Sequence, residues 1–291
     1  MREGRGSRTA ERVAERRAAH QLLDSPLVFE DPLALSVIPP EVASSLLDNP
    51  QQYDRSIPGR YLRAFLVVRS RVAEDSLREA VKRGVQQYVV LGAGFDTFAF
   101  RNPHPARTLR IFEVDHPDTQ AIKLSRLKDA GIQPGSDVTF IPVDLSKEPL
   151  QSALLQHGFD ESSPSFFSWL GVVLYLEVED IRRIWRYVGS LAGGTTMVFD
   201  YAVNPSSLSF PARLTLKFMA ARVASIGEPW KTYFDPGAID SELRAAGFAS
   251  VQDLGQAELN HRFFSGRSDG FRVGEGGRII VASAGPGGRR T

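Results

Sequence analysis

Apolar positions along the chain follow two rhythms, and the change from one to the other divides it. From Arg8 to Leu23 the spacing is helical, setting Val13 and Ala14 with Leu22 and Leu23 against a charged opposite side. FEDPLALSVIPP follows, where Pro32, Pro39 and Pro40 mark a short helix and a turn. Arg60 to Arg83 reads as a long amphipathic helix. Leu62, Phe65, Leu66, Val72, Leu77 and Val81 form its stripe, and Gly84 is placed to end it. Residues 1–85 thus contain no strand, which predicts a helical cap over one end of a sheet.

At Gln87 the rhythm changes. Tyr88, Val89, Val90 and Leu91 form an apolar run too short for a helix and rich in β-branched residues, so they predict a buried strand. Gly92-Ala93-Gly94 breaks it, and FDTFAFR opens a helix. Strands follow at 109–115, 138–145, 165–176 (with an apolar continuation) and 195–201. Helices alternate with them at Pro117 to Ala130, Glu148 to His157 and Val178 to Ser190. A helical insertion at 204–235, dense in Leu and Phe, precedes a helix ending at Gly247 and strands at 249–254 and 277–283. Such alternation predicts an α/β fold of Rossmann-like, doubly wound type. Its sheet has seven mostly parallel strands with helices on both faces, and residues 86–291 form this domain. MREGRGS and GPGGRRT at the two ends have the composition of disordered tails, and no internal repeat is present.

Composition narrows the chemistry. With 42% hydrophobic and 24% charged residues, the chain is of ordinary globular type. A net charge of +1 gives no reason to expect nucleic acid or an anionic membrane as partner. The absence of Cys removes disulfides, thiolate-bound zinc and a Cys nucleophile together. The five His (His20, His104, His116, His157, His261) show no metal-binding spacing. No apolar run is long enough to span a bilayer, and the Arg-rich start lacks a signal-peptide core, so a cytoplasmic protein is expected.

The candidate site follows from the sheet. Glycines at a strand-to-helix turn let backbone approach a ligand that a Cβ would repel. The third glycine of a dinucleotide fingerprint would fall where Thr97 stands. The next strand ends in Glu113 and Asp115, about 20 residues on, where an acidic residue meets ribose hydroxyls. Gly92, Asp115, Asp144, the 170–175 region and Asp200-Tyr201 all fall at the carboxyl ends of predicted strands, where such sheets bind ligands. Their coincidence points to a nucleoside-type ligand.

Taken together, SRTAERVAERRAAH, FEDPLA, RSRVAED, VVLGAGFDTFAFR, FEVDHP, VDL, WLGVVLYL, EPW, FDP and GRSDGFR span most of the chain. In these motifs the chain resembles the class I S-adenosylmethionine-dependent methyltransferases. Within them it is similar to the leucine carboxyl methyltransferase-like group, which includes carboxyl methyltransferases of a protein C-terminus and bacterial polyketide O-methyltransferases. The resemblance implies S-adenosyl-L-methionine as cofactor and methylation of a carboxylate or hydroxyl on a small molecule, such as a polyketide-like natural product. It implies that Arg71, with Arg69 as the nearby alternative, holds the cofactor carboxylate, a task suited to a guanidinium fork. Gly92 and Gly94 would pass the methionine part, Asp115 would accept from the ribose, and Asp144 with Leu145 would mark the adenine. Leu170 stands where most of the group has Glu, which leaves the methionine ammonium to a backbone carbonyl in 168–171.

No catalytic triad is visible, and none is needed when a protein aligns an activated methyl with its acceptor. A hydroxyl acceptor would profit from a base, for which His116 and Tyr201 are candidates; Arg262 and Arg267 could pair with an acceptor carboxylate. Two other readings share the glycine turn: a nicotinamide-dependent oxidoreductase, and a non-catalytic protein that keeps a nucleoside pocket. Thr97 and the lack of a Tyr-x-x-x-Lys pair weigh against the first.

Overall fold

A computed structural model describes residues 6–104, 108–145 and 148–285 of the chain. The terminal stretches expected to be disordered lie outside it, except that Gly6, Ser7 and Gly285 are described, and Ser7 caps the first helix. In chain order the helices are α1 (Arg8–Leu23), α2 (Pro40–Asp48), α3 (Ile57–Lys82), α4 (Phe98–Arg101) and α5 (Pro117–Asp129). They continue with α6 (Leu150–Gln156), α7 (Val178–Gly189), α8 (Phe210–Ala224), α9 (Pro236–Ala245) and α10 (Gln256–Phe263). The strands are β1 (Gln87–Leu91), β2 (Arg110–Asp115), β3 (Val138–Pro142), β4 (Ser165–Trp169), β5 (Thr196–Ala202), β6 (Phe248–Leu254) and β7 (Gly277–Ala284).

The seven strands lie in one sheet in the order β3-β2-β1-β4-β5-β7-β6. β1 to β5 are mutually parallel, and β7 runs antiparallel between β5 and β6. The sheet is therefore mostly parallel and doubly wound, as the alternation predicts. Strand order reverses between β1 and β4, which opens a crevice at their carboxyl ends.

Side-chain alternation sends each strand's residues to two cores. On one face Val89, Phe112, Phe167 and Phe199 pack under α6, α7 and α9, with Trp185 set against Phe199 and Phe234. On the other, Tyr88, Val90, Ile111 and Val198 pack under α3 and α10. The boundary expected at residue 85 thus does not separate two cores, because α3 is itself a layer of the sheet domain. α1 and α2 gather instead over Phe95 and Leu127 in a third, smaller cluster. Gly84 ends α3 at φ +96°, with Gly84 N–H bonded to the Val81 carbonyl and Val85 N–H to that of Ala80.

Three details depart from the sequence reading. The buried face of α1 is Ala14, Arg17, Ala18, Ala19 and His20, and Leu22 is exposed. Polar anchors replace the expected apolar ones: Arg17 pairs with Asp31 at 2.7 Å, and His20 meets Asp24 at 2.8 Å, which also accepts from Arg63. β4 stops at Trp169, and its apolar continuation turns through a short 3₁₀ segment, Val173–Tyr175. α10 falls between the strands expected at 249–254 and 277–283, where the sequence reading places no element, and packs Leu259 into the second core.

Candidate active site

Gly92 and Gly94 adopt φ +62° and +52°, the left-handed region that L side chains avoid. A Cβ on Gly92 would lie 2.4 Å from Val172, so the turn depends on glycine there. Their amides fold back on β2: Gly92 N–H bonds the Val114 carbonyl at 2.8 Å, and Gly94 N–H donates to the Asp115 carboxylate. Asp115 also accepts from the amide of His116 at 2.6 Å. Burial raises the Asp115 pKa above the usual carboxylate value, while these two amides act the other way.

These groups line a cavity of about 400 Å³ at the carboxyl ends of β1, β2, β3 and β4. Gly92, Gly94, Asp115, His116, Asp144, Leu145 and Leu170, each singled out in the sequence, all lie on its wall. Glu113 does not. It is wholly buried one turn of the pleat away, 2.5 Å from the ammonium of Lys123 on α5, and burial pushes its pKa up to about 7. Thr97, in place of a third glycine, is a buried node instead. Its hydroxyl donates to Asp31 at 2.9 Å and accepts from Arg101.

The structure separates the two candidate arginines. Arg71 lies outside the cavity with its side chain 44% exposed, paired with Asp75 at 2.8 Å. Arg69 points inward, 9% exposed, and pairs with Asp200 at 3.0 Å. Residues two apart on a helix lie about 200° apart around it, so only one could face the sheet. Asp200 holds two things at once, since its other oxygen accepts from the amide of Gly171 at 2.6 Å. Gly171 is at φ +72°, and a Cβ there would sit 2.7 Å from the guanidinium of Arg69.

Of the other candidates, His116 lines the first cavity and Tyr201 the second, but each is engaged within the fold. His116 caps α5, its Nδ1 accepting from Asp118 N–H at 3.3 Å. The Tyr201 hydroxyl donates to Asp253 at 2.9 Å, and burial beside that carboxylate raises its pKa, so it is a poor base. Arg262 stacks on Phe263, and Arg267 is bound to Asp269 and to the carbonyl of Pro26. Neither arginine lines a cavity described here.

A second cavity, of about 1050 Å³, lies beneath α8 and between it, α3 and α1. The two cavities share Thr9, Val13, Leu66, Arg69, Gly171 and Tyr175, which form a seam between them. Sequence reasoning marked EPW as a motif but missed this seam and the contact by which that loop closes it. The amides of Arg8 and Thr9 donate to the Glu228 carboxylate at 3.0 and 3.1 Å, so a residue of the α8–α9 loop caps α1 above the first cavity. That loop is fixed in turn by Lys231 N–H on the Leu174 carbonyl at 2.8 Å and by Thr232 on that of Leu176.

A family model described as leucine carboxyl methyltransferase matches residues 10–189, more than half of the chain. The chain belongs to the leucine carboxyl methyltransferase family. Membership covers α1, the glycine turn and Asp115, together with the strand ends that form the first cavity. Among relatives, the Bacillus subtilis (strain 168) protein YktD, named for S-adenosyl-L-methionine-dependent methyl transfer, is 31% identical over 94% of this chain and 97% of its own length. A Frankia alni protein named for the same activity is 34% identical over 65% of this chain and 66% of its own. A solved structure from Thermobifida fusca YX, titled as a methyltransferase, shares the fold. Its TM-score is 0.58 at 15% identity, covering 98% of this chain and 97% of that one. The family member described here is an enzyme of the S-adenosylmethionine-dependent methyltransferase kind. Among its described residues no helix is long and apolar enough to cross a membrane.

Proposed function

We propose that the protein transfers a methyl group from S-adenosylmethionine to an oxygen of a small, largely apolar acceptor, and that this oxygen belongs to a carboxylate. The observation that carries the reading is the seam between the two cavities. One side offers what a nucleoside needs: Gly92 and Gly94 without side chains, Asp115 fixed at a strand end, and Asp144 with Leu145 beyond it. These residues fit the cofactor. Asp115 would accept from ribose hydroxyls, Asp144 and Leu145 would border the adenine, and Arg69 replaces Arg71 as the cation nearest the methionine end. When bound, S-adenosylmethionine supplies a methyl activated by a sulfonium, so one C–O bond forms as one C–S bond breaks and the electron pair goes to sulfur.

The protein's own part is alignment and exclusion of water. The seam contains no His; the carboxylate that borders it, Asp200, is held by Arg69 and by the amide of Gly171, and the seam's own titratable groups are Arg69 and Tyr175. Burial raises the Tyr175 pKa, which keeps that hydroxyl protonated, a donor rather than a base. A carboxylate acceptor is already ionised at neutral pH and needs no base, and the guanidinium of Arg69 is at hand to orient it. The seam therefore favours an ester product over an ether.

Two measurements test this. Calorimetric titration should show binding of S-adenosylmethionine and none of NAD. Transfer of labelled methyl to a panel of aryl and alkyl carboxylic acids should give a product that releases labelled methanol in alkali. Binding of NAD in place of S-adenosylmethionine would overturn the cofactor; label fixed only in alkali-stable product would overturn the carboxylate.

A further inference from the structure

The second cavity carries a charge pattern that methyl transfer does not require. Its walls are mostly apolar, with Leu62, Phe65, Leu174 and Met219 among them, and at about 1050 Å³ it stands at the upper end of small-molecule sites. Yet Arg12 and Arg16 from α1 and Arg222 from α8 also line it. Among the described residues none of the three has a carboxylate within ion-pair distance; the contact Arg16 makes is to the carbonyl of Arg12 at 3.2 Å. Arg16 is half-buried, and burial, with Arg222 and Arg12 nearby, lowers its pKa against the opposing charge of Glu15. Glu15 is itself engaged by the hydroxyl of Tyr53 at 2.7 Å. The other carboxylates on the cavity are occupied too: Asp200 by Arg69 and Gly171, Glu275 by the amide and hydroxyl of Ser209.

Arg12 and Arg16 are half-buried and Arg222 is exposed at the rim, and like charges that face one cavity repel one another until an anion joins them. Their position says where it would lie. Thr9 and Val13 are at the seam, whereas Arg16 is two turns further along the same face of α1, on the order of 10 Å from Thr9 at 1.5 Å per residue. We infer that the acceptor is an apolar molecule carrying an anionic group at the end remote from its methyl-accepting oxygen, and that Arg12, Arg16 and Arg222 hold that group. The assignment of which end accepts the methyl rests on the reading of the seam above; the anion site itself does not.

The test uses two probes that share an apolar body, 1-anilinonaphthalene-8-sulfonate and its uncharged parent N-phenyl-1-naphthylamine. Both are titrated by fluorescence into the full-length protein saturated with S-adenosylhomocysteine, so that the first cavity is filled. The sulfonate should bind more tightly than the parent. Arg16→Gln and the exposed-site variant Arg222→Gln should each weaken the sulfonate about tenfold, the scale of one charge-assisted contact, and leave the parent unchanged. Arg262→Gln, outside both cavities, should affect neither. Equal binding of the two probes, or a sulfonate preference that survives in Arg16→Gln and Arg222→Gln, would overturn the inference. Failure of S-adenosylhomocysteine to bind, with the arginine-dependent preference intact, would instead reject the methyl-transfer reading and leave the anion site standing.

Discussion

Arg69 and Asp200 form a buried ion pair, 3.0 Å apart, that joins α3 to the end of β5 at the junction of the two cavities. Removing one partner of such a pair leaves the other charge buried and alone. Asp200→Asn should therefore destabilise the protein by about 3 kcal/mol, at the low end for a broken buried pair because Asn can still accept from Gly171. The change in urea midpoint checks it. Arg69→Ala should also abolish turnover, whereas Arg71→Ala, which breaks an exposed pair, should stay within about 0.5 kcal/mol of the parent and keep cofactor affinity.

Asp115→Ala should weaken S-adenosylhomocysteine strongly. Each charge-assisted hydrogen bond to a ribose hydroxyl accounts for roughly 1.5–3 kcal/mol, so losing two costs at least about a hundredfold in Kd by calorimetry. A change below about threefold would remove Asp115 from the cofactor site.

Glu113 gives the fold a pH dependence. Burial raises its pKa to about 7 from an ordinary 4.5, so the folded protein holds a proton that the unfolded chain gives up. That contribution is complete below pH 4.5 and is lost as pH rises through about 7. The urea midpoint of the parent should fall relative to Glu113→Gln between pH 5 and pH 8. Parallel midpoint curves would show that Glu113 does not titrate in this window.

The contact between Glu228 and the first amides of α1 makes a latch over the first cavity. Glu228→Ala removes a helix cap worth about 0.5–2 kcal/mol, a loss confined to α1. Amide exchange at residues 8–14 should quicken while the sheet stays protected, and cofactor product should slow that exchange in the parent more than in the variant. Deletion of residues 1–20 would do something different, because it removes Arg17 and His20, whose ion pair with Asp31 and hydrogen bond with Asp24 are buried. Loss of the fold, not of a lid alone, is the expected result of that truncation.

The sheet and its ligand-bearing edge were legible because two periodicities and a glycine turn are local properties of the chain. β1, β2 and β5 fall within a residue or two of their expected bounds. The choice between Arg69 and Arg71 was not made by the motif RSRV, which contains both. The signal lay in the stripe: Arg69 is three residues after Leu66 and seven after Leu62, on the face that packs, and Arg71 is not. The role of α3 as a sheet layer was obscured by its place before the first strand, since chain order does not say which core a helix joins. α10 escaped because QAELNHRF buries one leucine and shows no stripe. The Glu228 cap joins residues about 220 apart in the chain, and no local pattern announces it.

Thr9 and Val13 line the first cavity and the second alike, so α1 is a party wall between two rooms. A displacement of α1 outward, away from the sheet, opens both rooms together. Departure of the spent cofactor and of the methylated product is thereby tied to a single movement, and the two should leave with one shared rate constant that Glu228→Ala raises for both.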